Sequence, residues 1–86
     1  MFDNKVFLIV KKYIDQMDYY ALLAGGAPRN EFDSESIEIS NRIHPEQSIQ
    51  EIANIIAEVF NANFDERNDA MDFLVVAEQI RKELLL

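Results

Sequence analysis

The chain has 86 residues, 49% of them hydrophobic, which is one domain with enough apolar material to exclude a disordered segment. It contains no cysteine, and this removes disulfide frameworks, thiolate zinc sites and cysteine nucleophiles from its chemistry. A formal charge of −8 opposes binding to nucleic-acid phosphates and to anionic membranes, and favours a basic protein partner.

The charge is uneven. Residues 1–45 hold five Lys/Arg against seven Asp/Glu, and residues 46–86 hold three against nine, so the second half is the more attractive to a cationic surface. Only two glycines and two prolines occur, which leaves long stretches free of helix breakers. The apolar run Val6–Val10 is short and is followed by Lys11 and Lys12, the reverse of the charge order in a signal peptide. No apolar run approaches the roughly 20 residues that span a bilayer, so a cytoplasmic location is expected. The expected architecture is all-α: a compact bundle of about four helices in a single domain over residues 1–86, with an irregular apolar Gly-Gly loop between the first two.

The first helix is predicted from about Asp3 to Met17. Phe2, Val6, Ile9, Val10, Tyr13 and Met17 recur at three- and four-residue steps and so share one face, while Leu8 falls off that stripe. Asp3 is placed to cap the helix start. Asp18 to Asn30 has no helical period. Gly25-Gly26 marks a tight turn there, and Pro28 turns Ala27 away from helical angles. The segment also carries Tyr19, Tyr20, Leu22 and Leu23, too apolar for a loop that is simply solvated.

A second helix is expected from Asn30 or Glu31 to Ile43. Its stripe is narrow (Phe32, Ser36, Ile39, Ile43), Glu31, Glu35 and Glu38 fall on another face, and His44-Pro45 stops it. The third begins with a capping box, Ser48 with Glu51 three residues on, and runs to about Asn61. Its apolar arc, Ile49 through Phe60, covers roughly 200° at 100° per residue, which predicts a central helix or a subunit interface. The fourth is expected to start near Asp65 to Asn68 and to run nearly to the end. Its stripe is Ala70, Phe73, Leu74, Ala77, Ile80 and Leu84, with acids in its first turns and Arg81 and Lys82 near its last. Met71 and Val75 lie off the stripe, in a position to meet a partner.

Catalytic constellations are scarce. The one histidine, His44, sits at a helix end beside proline, where a solvated residue is the ordinary case. Gly25-Gly26 lacks the spacing and the lysine of a phosphate-binding loop, and none of the four serines sits in a nucleophile elbow. No catalytic residue, cofactor or metal ligand is assigned, and an enzyme is not the expected class. Carboxylates are the one abundant reactive group, in two clusters: Glu31, Asp33, Glu35 and Glu38 with Asp18, and Asp65, Glu66, Asp69 and Asp72. Oxygen-only clusters of this kind can hold magnesium or calcium if they converge.

The segment from Met17 to Glu35 is the most particular part of the chain. Asp18 after Met17, the apolar loop with Leu22 and Leu23, Pro28, and the acidic-aromatic-acidic stretch Glu31-Phe32-Asp33 with Glu35 resemble a family of small bacterial proteins known as domain of unknown function 1871. Similarity in order and length covers most of the chain, and the specific residues lie within 17–35. Met17, Tyr19 and Asn30 depart from the tryptophan, proline and acid common in that family. The resemblance implies a small helical fold and no established activity.

Two readings of this segment stand side by side. In one, Asp18 caps the loop, Glu31 or Asp33 accepts backbone N–H groups at the helix start, and Tyr20, Leu22, Leu23 and Phe32 plug the end of the bundle. In the other, Asp18, Tyr19, Tyr20, Leu22, Leu23, Glu31, Phe32, Asp33 and Glu35 form a partner surface of aromatic and acidic groups. The function expected first is a non-enzymatic acidic protein-binding module, for example an immunity-type inhibitor of a basic partner. The alternative is a carboxylate-based divalent-cation protein or hydrolase built on Asp18, Glu31, Asp33 and Glu35. A homo-oligomer, suggested by Leu8, Met71, Val75 and the terminal leucines, is the third.

Overall fold

A computed structural model describes residues 4–86. Among these residues there are four α-helices and no strand: α1 (Asn4–Met17), α2 (Asp33–Arg42), α3 (Ile49–Phe64) and α4 (Leu74–Leu84). Two short 3₁₀ turns, Tyr19–Ala21 and Ala70–Phe73, follow α1 and precede α4. The all-α four-helix bundle is the architecture expected from the sequence. The expected contributions of Phe2 and Asp3 lie outside the described residues.

α3 is the central helix. Its start is the capping box read from the sequence: the Glu51 N–H donates to Ser48 Oγ at 3.1 Å, and the Ser48 N–H donates to Glu51 Oε1 at 2.9 Å. Ile52, Ala53, Ile56, Val59 and Phe60 are fully buried, because α3 packs against α2 on one side and against α4 and its preceding turn on the other. Complete burial stabilises each large apolar side chain by about 1.5–3 kcal/mol, so the wide apolar arc makes α3 the chief contributor to the core. The helix runs three residues past the expected Asn61. Phe64 stacks on Phe60 at 5.7 Å, and Asp65 then takes a left-handed conformation (φ 54°) that closes the helix.

The start of α2 is two to three residues later than expected. Residues 28–32 instead pass through turns, in which the Glu31 N–H donates to the Pro28 carbonyl and the Asp33 N–H to the Asn30 carbonyl. Phe32 is thus a loop residue, and it is fully buried. The stripe itself holds: Ser36, Ile39 and Ile43 are buried with it. The start of α4 is also later. Asn68 is tied back to Asn61, its N–H donating to Asn61 Oδ1 at 2.7 Å while Asn61 Nδ2 donates to the Asn68 carbonyl at 3.1 Å. Asp69 and Asp72 then form a second reciprocal cap over the 3₁₀ turn, with the Met71 N–H on Asp69 Oδ1 and the Asp69 N–H on Asp72 Oδ2.

α1 runs antiparallel to α4. Near its middle Tyr13 Oη donates to Glu83 Oε1 at 2.6 Å and Lys12 Nζ reaches the same oxygen at 2.9 Å. The Tyr13 hydroxyl, and then Lys12, hold the Glu83 carboxyl below its ordinary value of 4.5. The bonds to the ionised form are therefore present above the ordinary value and are lost as pH falls through the lower folded one. A carboxyl-detected NMR titration is expected to place the Glu83 midpoint below 4.5 in the native protein and nearer 4.5 in Tyr13→Phe. An identical midpoint in both would remove the hydroxyl as the cause.

Candidate functional site

The loop after α1 is built around Asp18. Its backbone is left-handed (φ 49°), a conformation that Asp tolerates better than most residues, and this ends α1 and reverses the chain. Its two carboxylate oxygens accept the N–H groups of Leu23 at 2.7 Å and Ala24 at 3.0 Å, which ties residues 18–24 into a ring. Gly26 (φ 101°) then makes the one turn that only glycine adopts cheaply.

The two tyrosines inside the ring keep their rings in contact, with centroids 4.6 Å apart, and differ in exposure. Tyr19 turns inward. Its ring lies 4.7 Å from Phe60 and 5.0 Å from Phe64, and its hydroxyl accepts from Asn68 Nδ2 at 2.6 Å. Tyr20 turns outward and is 61% exposed, its ring meeting Phe64 edge-on at 6.3 Å. Tyr20 and Ala21 both hold left-handed backbones (φ 58° and 53°), each disfavoured by about 1–2 kcal/mol for a residue with a β-carbon. Leu22 and Leu23 are half-buried against the core.

Lys11 fastens the far end of the loop. Its Nζ donates to Asp33 at 2.6 Å, to Asp15 at 2.9 Å and to the Arg29 carbonyl at 3.0 Å. Partial burial opposes the charge on Lys11, but the bonds to Asp33 and Asp15 outweigh it and hold the ammonium above its usual range. Asp33 is thereby committed to an internal ion pair. Glu35 is buried, with Oε2 accepting from Ser34 Oγ at 3.3 Å and Oε1 without a partner. The hydroxyl of Ser36 is likewise buried and unpartnered.

The nine residues grouped in the sequence are therefore not one surface. Phe32 and Glu35 are inside and are withdrawn from it. Asp18 and Asp33 satisfy internal donors. Tyr19, Leu22 and Leu23 pack on the core, Glu31 is half-buried, and Tyr20 alone of the nine is exposed. The cation reading required four of these carboxylates to converge. Among the described residues no three histidine, aspartate or glutamate side chains are placed to hold a metal ion.

What the sequence grouping missed lies across from Tyr20. Phe64, the ring beneath it, is the last residue of α3 and is followed directly by Asp65 and Glu66. Asp69 lies next to Asn68, the partner of the Tyr19 hydroxyl, and Met71, 71% exposed, sits in the turn that Asp69 caps. Among the described residues Asp65, Glu66 and Asp69 form no ion pair, in contrast to Asp15, Asp33, Glu58 and Glu83. The available signal was the charge excess of the second half, which marked these carboxylates without showing which aromatic they accompany. No family model matches the chain, and no curated protein or solved structure matches it either, so geometry alone carries the functional reading.

Proposed function

We propose that the chain is a non-enzymatic binding module. It takes a basic protein partner at the end of the bundle where Tyr20 and Met71 stand out among Asp65, Glu66 and Asp69. One concrete form is an immunity-type inhibitor that masks a basic toxin domain. That form rests on likeness of size and charge.

The observation that carries the reading is Tyr20. Its ring leans on Tyr19 and Phe64 yet stays 61% exposed, and its left-handed backbone is one that an asparagine or glycine would hold with less strain. An aromatic held outward near carboxylates that form no ion pair supplies what a cationic surface can use: apolar area at small entropic loss, and charge that steers encounter. Truncated hot-spot tyrosines weaken binding by about 2 kcal/mol, or roughly thirtyfold.

The test is Tyr20→Asn, which removes the ring and suits the backbone. The tagged protein is used to capture partners from the cells that make it, at low and high salt, with retained proteins identified by mass spectrometry. A basic protein held at low salt, released at high salt and lost in Tyr20→Asn is the expected result. Relief of the left-handed strain offsets the lost ring contacts with Tyr19 and Phe64, so the variant should melt close to the parent. Equal capture by the variant, or capture of no basic protein at low salt, would end the proposal.

A further inference from the structure

α1 and α4 share a long outer face that no other element among the described residues covers. On α1 the row is Lys5, Leu8, Lys12 and Gln16. The second row is Val75, Gln79 and Glu83 on α4, with Asp72 in the turn before it and Leu86 just past its end. At 100° per residue the α1 row and the α4 row Val75, Gln79 and Glu83 each fall within an arc of about 80°, so each is a straight stripe along its helix. The two stripes flank one seam. They line two troughs along it, of about 710 Å³ and 260 Å³, separated by the Tyr13–Glu83–Lys12 contact.

Three properties of this face point to the same occupant. It is apolar where it should be solvated: Leu8 is 55% exposed, Val75 75% and Leu86 93%. It is charge-balanced, two lysines against two carboxylates, in a chain of net charge −8. A second equally acidic copy thus meets less repulsion here than a uniform spread of the charge would give. The charges are also sorted, the lysines on α1 and the carboxylates on α4 and the turn before it.

We infer that this face pairs with a second copy of the chain about a two-fold axis lying in the seam, parallel to the helices. That operation stacks each α1 on the α4 of the other copy at the same height along the axis. Lys12 of one copy then comes over Glu83 of the other, whose Oε1 takes the internal bonds and leaves Oε2 open. Each Leu8 comes over the trough beside Leu86. The contact is isologous, so both halves form at once and the assembly closes at two. A two-fold axis across the helices would instead stack α1 on α1 and bring lysine against lysine.

The size of the face sets the affinity. The 14 residues of α1 span about 21 Å, and two adjacent helices are about 20 Å wide. That footprint is on the order of 400 Å² per copy, at the low end for specific pairs, and a weak association at micromolar concentrations is expected of it. The inference is independent of the Tyr20 end, whose residues it does not use.

Sedimentation velocity across a concentration series, at low salt, is the test. The parent is expected to pass from monomer to dimer over micromolar concentrations, and Leu8→Glu to need at least tenfold more protein. Lys12→Glu and Glu83→Lys should each dissociate, since each homodimer would contain two like-charge contacts. Mixed in equal amounts they should pair again, because in the heterodimer both contacts are opposite in sign. The internal Lys12–Glu83 pair stays broken in both variants, so recovery on mixing reads the intermolecular contact alone and shows that both are folded. A parent that stays monomeric through hundreds of micromolar, or a mixture no more associated than its components, would overturn the inference. So would a dimer that Leu8→Glu leaves unchanged.

Discussion

Replacing Phe60 with alanine is expected to lower stability by about 3–5 kcal/mol, the largest effect of any single substitution in this chain. Phe60 is fully buried, and its ring is the meeting point of four others: Tyr19 at 4.7 Å, Phe64 at 5.7 Å, Phe73 at 5.9 Å and Phe32 at 6.1 Å. Those rings come from the post-α1 loop, the end of α3, the turn before α4 and the approach to α2. Truncation therefore opens a cavity at the point where the α1–α2 and α3–α4 connections are anchored, and no single element can collapse to fill it. A domain of this size holds about 5–15 kcal/mol in total, so most or all of the folded population is at risk. Phe60→Leu keeps much of the volume and is expected to retain a cooperative transition at a lower midpoint. Urea denaturation followed by circular dichroism measures both. A loss below about 1 kcal/mol for the alanine variant would show that the ring cluster is not the anchor described.

The second large effect is expected at Asp18. Alanine there removes the acceptors of the Leu23 and Ala24 N–H groups and places a less tolerant residue in the left-handed region. The combined loss is about 2–3 kcal/mol, reduced from the sum of its parts because water can reach the Ala24 bond. Asp18→Asn keeps one acceptor oxygen and the backbone tolerance, and should lose no more than about 1 kcal/mol. The near-ultraviolet circular dichroism of Tyr19 and Tyr20 should change in the alanine variant and persist in the asparagine one, since the ring of residues 18–24 fixes where both point. If alanine and asparagine prove equally stable, the carboxylate is not what closes the loop. Because Tyr20 depends on that loop for its outward position, Asp18→Ala should also abolish the partner capture that Tyr20→Asn abolishes, but with a fall in stability.

Much of this architecture is legible in the chain. Ser48 and Glu51 announce the start of α3 because a capping box is local, four residues that satisfy one another wherever they occur. The breadth of the α3 arc foretells a central helix because burial on two sides demands it. Leu8, Met71 and Val75 fall off their stripes in sequence and are exposed in the fold. The misplaced boundaries have non-local causes. Asn68 is held to Asn61 across the chain reversal, and that tether keeps residues 66–69 extended where charge and period suggested a helix. Phe32 reads as the first residue of a helical stripe and is in fact a turn residue drawn into the core by Phe60.

The candidate site shows the same division. Asp18 as a cap follows from its residue type and position. The burial of Glu35 does not, since it adjoins Ser36 on the edge of the stripe and its exposure is decided by what folds over α2. The different exposure of Tyr19 and Tyr20 follows from the left-handed backbones of Asp18, Tyr20 and Ala21, which no periodicity encodes. The carboxylates that accompany Tyr20 come from the far end of α3, more than forty positions away in the chain.

The clasp between Tyr13 and Glu83 joins residues 70 positions apart. During synthesis α1 is complete long before its antiparallel neighbour exists. At about 5–20 residues per second the ribosome needs several seconds to deliver the rest, and for that interval the side of α1 that will meet α4 has no cover. α2 can gather on α1, and α3 on α2, as they emerge. The seam cannot close until residue 83 has left the ribosome, so the bundle is finished by α4, and truncation ahead of Glu83 would leave α1 half-clad.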